Sequence, residues 1–225
     1  MIDGVRLKFC GLRSLVDAEF ADKLGADFLG FILYPKSPRY LSLRDYQNMA
    51  ANLPASRKRV GVMVAPTAAE IEAANEADFD RIQIHFVADT PAETVRDWSR
   101  QVGADRLWLA PKRAPQTPYA KVWLEAAQTH LVDTFHAGGF GGSGKTGNWS
   151  EFAALQRAQP DHTWILAGGL SPENVGAALA ESGARFIDAS SSVEAAPGIK
   201  DHAKMQQFVL AMHRQRVRVT SADGT

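Results

Sequence analysis

The sequence predicts a single α/β domain, a closed (β/α)8 barrel of the TIM type, and three observations carry that expectation. Short apolar runs alternate with amphipathic runs about eight times along the chain, the pattern of repeated βα units. Those apolar runs are continuous rather than alternating, which suits parallel strands covered on both faces. No Pro/Gly/Ser-rich linker divides the 225 residues, and roughly 200 to 250 residues is an ordinary length for one such barrel. We therefore expect the barrel over residues 1–216 and a polar, unperiodic, disordered tail over 217–225.

Taken in order, the strands are expected at Arg6–Phe9, Phe28–Ile32, Lys58–Val64, Arg81–His85, Arg106–Ala110, Leu131–Phe135, Trp164–Ala167 and Arg185–Asp188. The helices are expected at Leu15–Leu24, Leu43–Leu53, Ala68–Glu76, Ala92–Arg100, Val122–Thr129, Trp149–Gln159, Pro172–Glu181 and Ala203–Arg214, where apolar residues recur at helical spacing. Local chemistry marks two of the starts. Asn148 is a natural N-cap ahead of Trp149, Phe152 and Leu155, and Ser171 before Pro172 reads as a cap followed by proline at the first helical position.

Composition narrows the function. Hydrophobic content of 45% and charged content of 22% belong to a globular chain with a sizeable core. Lys plus Arg and Asp plus Glu both number 25, so no global basic field exists to hold nucleic acid or an anionic membrane, and neither partner is expected. No apolar run reaches the roughly 18 residues of a membrane span, and Met1–Cys10 lacks the apolar core of a secretory signal. Cys10 is the one cysteine; it excludes an internal disulfide and a multi-cysteine metal site, and fits a reducing, cytoplasmic setting. His85 and His136 stand near strand ends without the companion spacing of a zinc site, so no metal is expected.

Two functional readings part at His130–Trp149. Gly139–Thr146 reads G-F-G-G-S-G-K-T and satisfies the nucleotide phosphate-loop pattern G-x-x-x-x-G-K-[ST]. That loop requires a helix already running at its Lys and Ser/Thr, so that the helix N-terminus faces the phosphates. Here Gly147 follows Thr146 and the helix is expected only from Asn148. We therefore read the segment as a glycine-rich anion cradle in a barrel loop.

In such a barrel the functional residues sit at the C-terminal ends of the strands and in the loops that follow. This places Cys10 at the end of the first strand, Lys36-Ser37-Pro38-Arg39 after the second, His85 at the end of the fourth and Asp133 late in the sixth. Gly168-Gly169 follow the seventh, and Asp188 with Ser190-Ser191-Ser192 mark the eighth. The last two loops suit phosphate, because the glycines let backbone approach a ligand and the serines offer hydroxyls and amides in a turn. A phosphorylated small molecule is the expected ligand. Cys10 and Asp133, on separate strands, are the candidate base and acid. Taken alone, a single cysteine reads as a small buried hydrophobe and an aspartate as a loop cap; their place at strand ends favours the functional reading. Arg39 could grip a carboxylate with its planar fork, although by itself the motif also reads as a solvated charge pair.

Longer stretches carry a resemblance. K-F-C-G-L at Lys8–Leu12, G-F-I-L-Y-P-K-S-P-R-Y at Gly30–Tyr40, V-G-V-M-V at Val60–Val64, Q-I-H at Gln83–His85, V-D-T…F-G-G-S-G-K-T-G-N-W at Val132–Trp149, L-A-G-G-L-S-P-E-N-V at Leu166–Val175 and D-A-S-S-S-V-E…P-G-I-K-D at Asp188–Asp201 resemble the phosphoribosylanthranilate isomerase family, from about Gly4 to Arg214. The resemblance implies an Amadori rearrangement in tryptophan biosynthesis, without a cofactor, by a monomer or homodimer acting on a phosphosugar. It implies Asp133 as the acid that protonates the furanose ring oxygen and Cys10 as the base that takes the C2 proton, with a thiol pKa lowered by cationic or helix-dipole surroundings. Arg39 would hold the anthranilate carboxylate, and Lys8, His85, Gly142, Gly144, Gly168, Gly169, Asp188, Ser190, Ser191 and Ser192 would bind substrate.

Three positions depart from the family pattern. Phe86 stands where many members have Gly, Asn148 where Asp is common, and Ser192 where Gly usually precedes Val193-Glu194, so a strained backbone is expected at Ser192. The alternatives are a related isomerase of histidine biosynthesis, expected to carry Asp where Cys10 stands, and a P-loop nucleotide-binding protein, for which little chain follows Gly147.

Overall fold

The computed structural model describes residues 1–114, 117–133 and 148–220, with side chains up to residue 213. Eight parallel strands close in chain order: β1 (Arg6–Cys10), β2 (Phe28–Ile32), β3 (Lys58–Val64), β4 (Arg81–Val87), β5 (Leu107–Lys112), β6 (Thr129–Val132), β7 (Thr163–Leu166) and β8 (Phe186–Ala189). The seam is β8 against β1, with Leu7 opposite Ile187 and Lys8 opposite Asp188. Helices α1 (Leu15–Lys23), α2 (Leu43–Ala50), α3 (Ala68–Glu76), α4 (Ala92–Val102), α5 (Lys121–Ala126), α6 (Trp149–Ala158), α7 (Val175–Ser182) and α8 (His202–Thr220) alternate with the strands. A small antiparallel hairpin, β9 (Glu194–Ala196) and β10 (Ile199–Lys200), precedes α8.

Both strand faces are apolar, as a parallel sheet covered on two sides requires. Outward-facing Leu7, Phe9, Leu29, Phe31, Ile82 and Ile84 pack into the layer beneath the helices, while Val60, Val62, Leu131 and Ile165 fill the barrel interior. The rings of Phe28, Trp108 and Phe186, with centroids 5.0 to 5.5 Å apart, plug its N-terminal half. Polar groups are thereby left to the other end. Phe86 faces outward against Trp98 and Trp123, which accounts for an aromatic residue there.

Helix starts follow local chemistry. The side chains of Ser14, Ser42, Thr67 and Asn148 accept from the backbone amides of Asp17, Asp45, Glu70 and Glu151, each cap contributing on the order of 1 kcal/mol. Asn148 is the cap of α6, as expected.

Three expectations need correction. The fifth helix and sixth strand come earlier than their apolar runs suggested: β6 begins pairing at Thr129, opposite Thr163, so Asp133 stands just beyond the strand and not within it. The seventh helix starts at Val175, not at Pro172. Asn174 spends its side chain on the preceding loop, accepting from the Ser171 amide and donating to the Gly169 carbonyl, both at 2.8 Å, and Ser171 and Pro172 are left in a turn. Finally, α8 continues to Thr220, into the stretch expected as a tail; residues 221–225 lie outside the described residues.

Candidate active site

At the C-terminal end of the barrel one cavity of about 780 Å³, open mouth included, collects Cys10, Arg39, His85, Asp133, Gly168, Gly169, Asp188, Ser190, Ser191 and Ser192. Ile32, Val62, Leu131, Ala167 and Leu170 supply apolar wall between these groups. Lys8 is the exception among the expected binding residues: it is fully buried, does not line the cavity, and donates to both carboxylate oxygens of Asp188 at 3.2 Å. Gly142, Gly144, Lys145 and His136 lie outside the described residues.

Burial governs the charges here. Desolvation pushes the Cys10 thiol up; Lys8 and Lys200 pull it back, while Asp188 adds to the rise. The expected lowering is therefore overturned, because loss of water around a thiolate in the closed barrel outweighs the nearby cations. For Lys8 the balance falls the other way: burial would lower its pKa, but Asp188 and Cys10 outweigh that and raise it, so the ammonium stays charged. Burial and then the charge of Lys8 push His85 down to about 3, which makes it a neutral imidazole at pH 7. Gln83, wholly buried, places its amide nitrogen 2.7 Å from His85 Nε2 and fixes the ring; with the amide donating, the His85 proton sits on Nδ1.

Arg39 enters from the loop after β2 and lies across Gly11. A Cβ at Gly11, whose φ is +76°, would stand 2.8 Å from Arg39 Cδ, so glycine is required there twice over. Nε and Nη2 of Arg39 donate to the two oxygens of Glu194 at 2.8 and 2.7 Å. Lys200 Nζ lies 3.0 Å from Glu194 Oε1 and 3.0 Å from the Ser190 carbonyl. Burial alone would raise the Glu194 carboxyl, but Arg39 and Lys200 outweigh it and hold it below the usual carboxylate range. Arg39 thus already grips a carboxylate, and Nη1 is the corner that Glu194 does not use. Sequence reasoning missed Glu194 and Lys200. In a chain read linearly they are loop charges, and nothing local shows Glu194 folding back on a residue 155 positions earlier.

The two loops after β7 and β8 meet at one edge of the cavity. Gly168 and Gly169 have φ of +83° and +66°, a left-handed pair that side chains disfavour. Ser192 does not share that conformation: it lies in a short 3-10 turn, Ser191–Val193, and its hydroxyl donates to the Leu170 carbonyl, tying the two loops together. The backbone strain expected at Ser192 is absent, because the residue keeps a negative φ. Ser190 Oγ donates to the Cys10 carbonyl at 3.2 Å. Among the described residues no group of three or more His, Cys, Asp or Glu could hold a metal, and no helix is long and apolar enough to cross a membrane.

Comparison with known proteins agrees with this geometry. A relative from Magnetococcus marinus, an N-(5'-phosphoribosyl)anthranilate isomerase, is 38% identical over 212 residues, 93% of this chain and 96% of its own. A solved phosphoribosyl anthranilate isomerase in complex with reduced 1-(o-carboxyphenylamino)-1-deoxyribulose 5-phosphate superposes with a TM-score of 0.72 at 30% identity, covering 92% of this chain and 98% of that one. The dimeric enzyme of Thermotoga maritima, solved as monomers, gives a TM-score of 0.69 at 30% identity over the same shares of the two chains. The profile described as N-(5'phosphoribosyl)anthranilate (PRA) isomerase matches residues 7–211, and with Cys10, Asp133 and the double-glycine loop meeting in one barrel cavity, the chain belongs to that isomerase family.

Proposed function

We propose that this chain converts N-(5'-phosphoribosyl)anthranilate into 1-(2-carboxyphenylamino)-1-deoxyribulose 5-phosphate, an aldose-to-ketose isomerisation of the Amadori type in tryptophan biosynthesis. The observation that carries the reading is the opposition, across one cavity, of a thiol from β1 and a carboxyl from beyond β6. Asp133 gives a proton to the ring oxygen as the C1–O bond breaks, and the anthranilate nitrogen forms a C1=N iminium. Cys10, as thiolate, then takes the C2 proton, and the electron pair moves to C1–C2 and relieves the iminium. Tautomerisation of the resulting enol to the ketone completes an isomerisation with no net gain or loss of electrons, so no cofactor is required.

Binding follows from the same cavity. The amides of the Gly168–Gly169 turn and the Ser190–Ser192 segment suit the phosphate, and the free corner of Arg39 suits the anthranilate carboxylate. Neutral His85 and the carboxylate of Asp188 offer hydrogen bonds to the sugar between them. The ligand of the solved relative, a reduced form of this same product, supports the substrate class. We place the reaction in the cytoplasm, which the reduced lone cysteine fits, and expect a monomer or a homodimer, a choice that light scattering decides.

Turnover of the synthetic substrate tests the reading. Cys10→Ala and Asp133→Asn should each lower kcat by at least about 10² while thermal unfolding remains cooperative. A near-parental rate in either variant would remove that residue from its role.

A further inference from the structure

We infer that Lys8 is a positioning residue for Cys10: sealed beneath the cavity floor, its ammonium is the counter-cation of the Cys10 thiolate, and Asp188 holds it in place. The inference rests on Cys10 acting as the base. Lys8 and Cys10 are two residues apart on β1, so their side chains point the same way, into the barrel. Lys8 is fully buried and absent from the cavity lining, so it has no route to a ligand. Its hydrogen bonds go instead to Asp188, at 3.2 Å to each oxygen, and its charge acts on the neighbouring Cys10 thiol.

The facing strand makes room for this pair. A Cβ on Gly30 of β2 would lie 2.8 Å from Lys8 Cε and 3.1 Å from Cys10 Sγ, so glycine is what lets the ammonium stem and the sulfur sit side by side. The charge count points the same way. Acting on the sulfur are Lys8 from β1 and Lys200 from β10, against the carboxylate of Asp188 from β8, while Lys200 shares Glu194 of β9 with Arg39. His85, facing Lys8 from β4, is neutral. Burial keeps the thiol pKa raised, so it is when Cys10 loses its proton that a thiolate completes this set, and a buried charge is tolerated when so paired.

Cys10 is the chain's one cysteine, so the pH dependence of its alkylation by iodoacetamide, read by mass spectrometry, reports this thiol alone. Lys8→Met should move the alkylation midpoint up by one pH unit or more, the scale of losing an adjacent opposite charge. Lys8→Gln, neutral but still able to hydrogen-bond Asp188, should move it up likewise, and it carries the test if Lys8→Met does not fold. An unchanged or lowered midpoint in either folded variant would overturn the inference. Alkylation does not depend on turnover, so failure here is distinguishable from failure of Cys10 as base, which Cys10→Ala reports through kcat.

Discussion

Gly30 is specified by its neighbours and not by its own backbone. A methyl group there has nowhere to go but into Lys8 and Cys10. Gly30→Ala should therefore cost about 1–3 kcal/mol of stability, the usual penalty for overpacking, and lower turnover by displacing the sulfur. Urea unfolding beside steady-state kinetics checks both; a variant as stable and active as the parent would show that the barrel wall yields. Arg39 is the second position where one atom group decides an outcome. Lysine cannot reproduce a fork that serves Glu194 and a ligand together, so Arg39→Lys should weaken substrate binding by about 1.5 to 3 kcal/mol, chiefly through KM. Inhibition by inorganic phosphate, for which we propose the loops after β7 and β8, should be unchanged. A parental KM would leave the anthranilate end without its partner. The sequence showed Arg39 as a carboxylate grip, but not that a protein carboxylate already occupies part of it.

The hairpin of β9 and β10 is the element that local patterning did not reveal, and it carries two of the buried charges. It is pinned from both sides: Lys204 of α8 donates to the Glu194 carbonyl at 2.7 Å, and Gly198, at φ +83°, abuts the Pro38 carbonyl so closely that no side chain fits. Glu194→Gln keeps the shape and removes the charge that holds Arg39 and Lys200. We expect a raised KM with kcat within a few-fold of parent, and a loss of about 3 kcal/mol in stability because two cations lose their buried counter-charge. Equal loss in kcat would instead place the hairpin's effect on the chemistry. The helices show the opposite case. Ser14, Ser42, Thr67 and Asn148 cap amides three residues on, so those starts were readable, whereas α7 was not, because Asn174 serves the loop after β7.

Acid should open the whole barrel. His130 is wholly buried, bonded to the Tyr119 hydroxyl at 2.9 Å and the Ala127 carbonyl at 3.0 Å, and burial followed by the neighbouring His162 pushes its pKa down to about 3; His85 also titrates near 3. Unfolded, both imidazoles return to about 6.5, so between these values the unfolded chain binds the extra protons. Their neutral burial is fully stabilising above about pH 6.5, and stability should fall as pH drops from there towards 3. The urea midpoint is expected to decrease from pH 7 to pH 5, and His130→Asn, less stable at pH 7, should show a slope shallower by about one proton. An identical slope would exclude His130. Periodicity, strand-like runs and most capping residues act within a few positions of where they stand, so the eight βα units and the residues at strand ends were determined along the chain, and so were Cys10 and Asp133 as a pair at one mouth. Lys8 with Asp188, 180 residues apart, and Arg39 with Glu194 meet only when β8 closes on β1 and the hairpin folds over the loop after β2. Closure removes the water around these charges, and that desolvation decides which carboxylate each cation holds and in which direction the thiol titrates.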